Sequence, residues 1–173
     1  MAGGLVALGA IGGRDSGGVW TALQFYTTDT WGMAFGVEQQ LFFPTRVAEK
    51  SSKRQFDVTT LAFGMDICAQ RSFSQVRILG CAVGDIGFFI AGTGLSQQGI
   101  PTGAMVLLGP RLAIQLPLSD IHQQHFGFRV FADLRFSQAP GQVSLGRVAN
   151  KDNFEFDNNN TVVGLFGAAI TWP

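Results

Sequence analysis

Between residues 125 and 137 the chain reads HFGFRVFADLRFS. Phe126, Phe128, Val130, Ala132, Leu134 and Phe136 share one parity. His125, Gly127, Arg129, Asp133, Arg135 and Ser137 share the other, where Phe131 is the one large apolar residue. Strict period two means a β-strand with two unlike faces. The same alternation recurs along the chain and predicts eight strands, at about 3–12, 18–27, 31–43, 56–68, 74–90, 103–117, 124–137 and 161–172. Turn signals separate them: Arg14-Asp15-Ser16-Gly17, Thr28-Asp29-Thr30, a charged stretch 44–55, Ala69 to Phe73, a Gly/Gln/Pro stretch 92–102, Ser119 to Gln123, and an Asn/Asp-rich stretch 138–160. No helical stripe lasts three turns. The pattern predicts one all-β domain over 1–173.

The strands are long. A globular sheet uses about five or six residues per strand, whereas crossing a bilayer at a tilt takes roughly 9–11. The connections alternate as well. The second, fourth and sixth are short, and those at the opposite end are longer, apart from Arg14 to Gly17. Outer-membrane barrels place short turns on the periplasmic side and long loops outside.

Which face points inward is decided by the charges. The apolar parity carries Trp31, Met33, Phe35 and Val37, then Leu61, Phe63, Met65 and Ile67, then Val76, Ile78, Ala82, Ile86 and Phe88, then Val106, Leu108, Leu112, Ile114 and Leu116. The reverse parity collects Glu38, Asp66, Asp85 and Asp133 with Arg77, Arg111, Arg129 and Arg135. Equal numbers of the two signs near mid-strand suit a closed interior in which each charge finds a partner. A solvated face would carry lysines, and these strands have none. Small residues on the same parity (Ala34, Gly36, Ala62, Gly64, Gly109, Ala113, Gly127) leave room for arginine side chains in a narrow lumen. The phenylalanines are therefore expected to face lipid.

Composition agrees with that assignment. Charged residues are 14% of the chain, against about 25% in a typical soluble domain. Phe 16 and Gly 23 are high, Tyr 1 is low, and mean hydropathy is +0.22. With 12 basic and 12 acidic side chains no net field draws the chain to nucleic acid. No segment reaches the roughly 18 apolar residues of a membrane helix. The apolar start MAGGLVALGAIGG lacks the positive region of a signal peptide. It reads as the first strand of a mature chain whose signal has been removed, preceded by an added Met1.

The last strand, Gly164-Leu-Phe-Gly167-Ala-Ala-Ile170-Thr-Trp172, resembles the C-terminal signal read by the barrel-assembly machinery: a glycine, then alternating hydrophobics ending in an aromatic. Gly167, Ile170 and Trp172 match it, although Leu165 stands where a polar residue is usual and Pro173 follows the aromatic. Over essentially its whole length the chain resembles the small eight-stranded outer-membrane barrels, the OmpA/OmpX-like group. The resemblance implies an eight-stranded antiparallel up-and-down transmembrane β-barrel in the bacterial outer membrane. Its partners would be the lipid bilayer and the barrel-assembly machinery. Eight strands leave an interior just filled by side chains. The expected role is thus structural, or surface interaction with an envelope protein through loops 44–55 and 138–160. A narrow channel for small solutes comes second and an enzyme third.

Candidate chemistry is sparse. Cys68 and Cys81 share the inward parity of neighbouring strands; if they lie opposite, the tightest turn is Ser74-Gln75, and a structural disulfide is expected in an oxidising compartment. Two buried thiols are the alternative. Their spacing to His122 and His125 fits no zinc pattern, so no metal or cofactor is expected. Ser119-Asp120-Ile-His122-Gln-Gln-His125 has the residue types of a hydrolase triad, but neighbours in one turn rarely converge on a point. Barrels of this size that modify lipid A place Ser and His near the outer leaflet, and no such pair stands in the outer halves of these strands. Lys50, Lys53 and Arg54 could meet lipopolysaccharide phosphates. Gly18-Val19-Trp20 resembles the Gly-x-Trp of lipocalins, which makes a soluble barrel for a small apolar ligand the runner-up.

Overall fold

In the computed structural model, which describes residues 1–11, 14–26, 31–48, 55–92, 104–121, 124–137, 141–145, 154–158 and 162–172, the alternating segments become antiparallel strands. These are β1 (Ala2–Ile11), β2 (Arg14–Tyr26), β3 (Trp31–Ala48), β4 (Gln55–Phe73), β5 (Val76–Gly92), β6 (Ala104–Ile121), β7 (Gln124–Ser137), β8 (Gly141–Leu145), β9 (Phe154–Asn158) and β10 (Val162–Thr171). Eight of them close into a barrel in the order β1-β10-β7-β6-β5-β4-β3-β2. Each of these strands has two hydrogen-bonded neighbours, so the barrel leaves no open edge. The protein is an all-β, closed, eight-stranded antiparallel barrel.

The up-and-down order sorts the connections by end. Residues 27–30, Ser74–Gln75 and residues 122–123 join strands at one end, here the lower. Residues 12–13, 49–54, 93–103 and the segment 138–161 join them at the upper end. The β4–β5 hairpin turns on two residues, and Ser74 takes the left-handed backbone region (φ 54°) that this tight reversal needs.

Side chains alternate as the sequence predicts. Leu23, Phe25, Met65 and Leu112 point outward and are 64%, 66%, 67% and 58% exposed. Trp20, Glu38, Asp66, Arg111 and Arg135 point inward and are buried. Above the interior charges the bore is filled by Phe42, Val58, Phe89, Met105, Leu107 and Val163.

The strands run further than predicted. Of the stretch 44–55, residues 44–48 continue β3 and Gln55 begins β4; the predicted turn at Ala69 to Phe73 is strand, and the stretch 138–160 includes the separately paired strands β8 and β9. A bulge lies between the pairs Phe42↔Thr60 and Thr45↔Val58, at Phe43 and Pro44. Proline has no N–H for a ladder, and a bulge is where a strand tolerates it. The inserted residue also shifts the parity, so that Phe42, Thr45 and Val47 are all buried.

Candidate functional site

At mid-height, inward positions of β2, β3, β4, β5, β6 and β7 meet in one cluster of charge. Arg111 stands directly opposite Asp133 across the β6–β7 ladder. Its Nε donates to Asp133 Oδ1 at 2.8 Å and its Nη2 to Oδ2 at 2.9 Å, a two-pronged pair. The same guanidinium crosses the bore to Glu38, with Nη1 to Oε2 at 2.6 Å and Nη2 to Oε1 at 3.0 Å, and reaches Asp66 Oδ2 at 3.2 Å. Arg135 donates from Nε to Asp133 Oδ2 at 3.0 Å and from Nη2 to Glu38 Oε1 at 3.1 Å, and it ion-pairs with Asp85. Trp20 Nε1 and Gln40 Nε2 also donate to Glu38, at 3.0 and 2.7 Å.

Local sequence makes this crowding possible. A Cβ at Gly36 would overlap the Asp66 carboxylate, and one at Gly64 would overlap that of Asp85. The small residues of the inward parity thus hold space for carboxylates as much as for arginines. Phe131, the apolar exception on its face, lies under the Arg111 guanidinium with its centroid 4.7 Å from Cζ. It also packs on Trp20 at 4.9 Å between ring centroids. Gly167 sits opposite Phe131, and any side chain there would run into that ring.

A second polar layer lies below. Arg129 Nη2 donates to the Tyr26 hydroxyl and to Gln115 Oε1, both at 2.8 Å. Arg77 lies over the Tyr26 ring at 4.6 Å. Gln24 links the layers, donating to Asp66 Oδ1 at 3.4 Å and approaching Cys68 Sγ at 3.5 Å. The Met1 ammonium donates to the Ala22 carbonyl at 2.8 Å, and burial, aided by the positive Arg129, lowers its pKa from the usual value.

Six of the eight charges singled out by parity are therefore brought together: Glu38, Asp66, Asp85, Asp133, Arg111 and Arg135. The other two, Arg77 and Arg129, form no ion pair with a described residue and turn to Tyr26 and Gln115 instead. Parity fixes a face and not a height along the bore, and these two stand nearer the lower mouth. Trp20, Gln40, Gln24 and Tyr26 were missed as network members. The signal was present, since Trp20, Gln24 and Tyr26 share the inward parity of β2.

Protein-family models, curated proteins and solved structures gave no match to this chain.

Cys68 and Cys81 face each other across β4 and β5 and are joined by a disulfide, with Cα atoms 3.9 Å apart. Asp66 lies close enough for the three to resemble a metal site, with ligand atoms within 4.8 Å of one another. Bonded sulfurs are not thiolates, so the group as it stands is not a ligand set. Asp57, on the outward parity, pairs with Arg46 at 3.6 Å near the upper margin, where both side chains reach solvent. Ile170 and Trp172 are 52% and 48% exposed, Ile170 on the outer wall and Trp172 at the rim of the lower mouth. Lys50, Lys53, Arg54 and His122 lie outside the described residues, as does the side chain of His125.

The guanidiniums and carboxylates of the cluster use one another as hydrogen-bond and ion-pair partners across the bore.

Proposed function

We propose that this protein is an integral barrel of the bacterial outer membrane, closed at mid-height by its own charges, with a structural or surface-interaction role through its longer connections. One observation carries this reading: the barrel holds a cluster of buried charges at mid-height within, while its outer wall is apolar. Among the described strand residues, exposed charges stand only near the ends, at Arg14, Asp15, Arg46, Asp57 and Arg71. Between those margins the wall offers Leu23, Phe35, Met65, Ile86, Leu112 and Phe166 to its surroundings. Phe25, Phe73 and Trp172 gather at the lower end and Phe43 and Phe136 at the upper, as aromatic girdles do at the two interfaces of a bilayer. A barrel with no open edge is one of the two structures whose backbone is satisfied in hydrocarbon.

A lipocalin-like carrier of an apolar ligand would need the reverse polarity, with an apolar chamber where Arg111 and Arg135 stand. A steady solute channel would need an open path there. The reading adds lipid, the barrel-assembly machinery and lipopolysaccharide as contacts, and an envelope protein at residues 44–55 and 138–160. Purification tests it. The protein is expected to stay monodisperse only with detergent and to migrate differently on gels before and after heating. A monodisperse, detergent-free monomer without heat-dependent migration would contradict it.

A further inference from the structure

The lower mouth of the barrel opens into a cavity of about 630 Å³, within the range of roughly 300–1,000 Å³ used by small-ligand sites. Gln24, Tyr26, Arg77 and Gln115 line it on one side, and Phe126 and Trp172 are among its apolar walls. No acidic side chain of the described residues lines it.

That matters because of the charge held at and behind the cavity wall. The interior carboxylates are engaged at mid-height by Arg111 and Arg135. Arg129 is 1% exposed; among the described residues it hydrogen-bonds the neutral Tyr26 and Gln115, its Nε makes no hydrogen bond, and Asp66 acts on it electrostatically without forming an ion pair. Arg77, half-buried at the wall, has the Tyr26 ring as its contact and no carboxylate within ion-pairing reach among the described residues. A guanidinium stays charged when buried, and a buried charge calls for a counter-charge. Two arginines converge on one tyrosine beside a chamber whose described lining holds no carboxylate.

We propose that the lower mouth binds a small organic anion, with a carboxylate head at Arg77 in the field of Arg129 and an apolar body against Phe126 and Trp172. The planar fork of arginine suits carboxylate and phosphate alike, and the aromatic wall selects between a free inorganic anion and one that carries an apolar body. The site depends on the barrel's interior and not on the membrane reading above.

Tyr26 is the chain's single tyrosine, so the full chain labelled with 3-fluorotyrosine and folded in non-ionic detergent gives one fluorine resonance from the cavity wall. Titration with benzoate should move it saturably, while isosteric, uncharged benzamide should leave it in place. Arg77→Gln should weaken benzoate binding roughly tenfold or more, as the loss of a charge-assisted contact does, and Arg77→Lys should keep part of the affinity. Inorganic phosphate should bind more weakly than benzoate. The absence of a saturable shift, an equal response to benzamide, or an unchanged affinity in Arg77→Gln would each overturn the site. Phosphate binding as tight as benzoate would overturn the apolar body. The contrast between benzoate and benzamide in the unsubstituted protein decides even if the variant fails to fold.

Discussion

Arg111 and Glu38, on β6 and β3, meet across the bore through two hydrogen bonds of 2.6 and 3.0 Å. Neither strand neighbours the other in the barrel wall. The pair is therefore a brace through the lumen, and the same guanidinium also grips Asp133 and Asp66. Removing one member of such a buried group is costly because the others remain charged and dry.

Arg111→Ala is thus expected to lose about 3–5 kcal/mol of stability, read as a lowered melting temperature. It also empties the centre of the cluster. In planar bilayers the unsubstituted protein should show little steady conductance and the variant frequent openings. Large, stable conductance from the unsubstituted protein would mean that the ionic cluster does not close the path.

The outward face should respond to charge by depth. Leu112→Arg and Phe128→Arg are each expected to cost about 2–4 kcal/mol in lipid near the midplane, and Ala48→Arg, beside Arg46 at the upper margin, no more than about 1 kcal/mol. Unfolding from vesicles gives the comparison. A soluble barrel predicts otherwise, since Leu112 is already 58% exposed and surface changes of this kind stay within about 0.5 kcal/mol.

Much of this was legible in the chain. Period two with charge on one parity placed Glu38, Asp66, Arg111 and Asp133 inside and Phe63, Leu112 and Phe128 outside. The inward parity of two cysteines allowed the register Cys68↔Cys81 with its turn at Ser74–Gln75, although Ala69 to Phe73 read as the turn and is strand. Heights along the bore were not legible, because strand tilt and stagger set which inward residues share a level. For that reason Arg77 and Arg129 were expected among the carboxylates and stand below them. The bulge at Phe43–Pro44 hid the inward side of the upper β3–β4 hairpin, since one inserted residue reverses the pattern. The β8–β9 hairpin was masked by an Asn/Asp-rich composition that reads as loop.

The disulfide ties residues 13 apart in sequence and constrains the unfolded chain by an amount worth about 3 kcal/mol for a loop of this size. Unfolded, unreduced protein should show no titratable thiol, and reduction should lower the thermal midpoint. Two titratable thiols in natively exported protein would remove the bridge from the account.

Gly167 combines a place in the terminal signal with a place under Phe131. Gly167→Val should destabilise by about 1–3 kcal/mol through overpacking, even when the chain is refolded into micelles without assembly machinery. Adding Phe131→Leu should return part of the loss. Full stability of Gly167→Val in micelles would confine the glycine to recognition during assembly.

The central claim is that the wall meets lipid while the bore stays closed, and a spin label at position 112 tests it most directly. With Cys68 and Cys81 replaced by alanine and Leu112 by a labelled cysteine, the protein is folded into vesicles. Collision rates with oxygen, which concentrates in lipid, are then compared with those of a water-soluble nickel chelate. The account predicts frequent oxygen collisions and almost none with nickel. Ready access for nickel at this position, in protein that needs no detergent to remain monomeric, would contradict it.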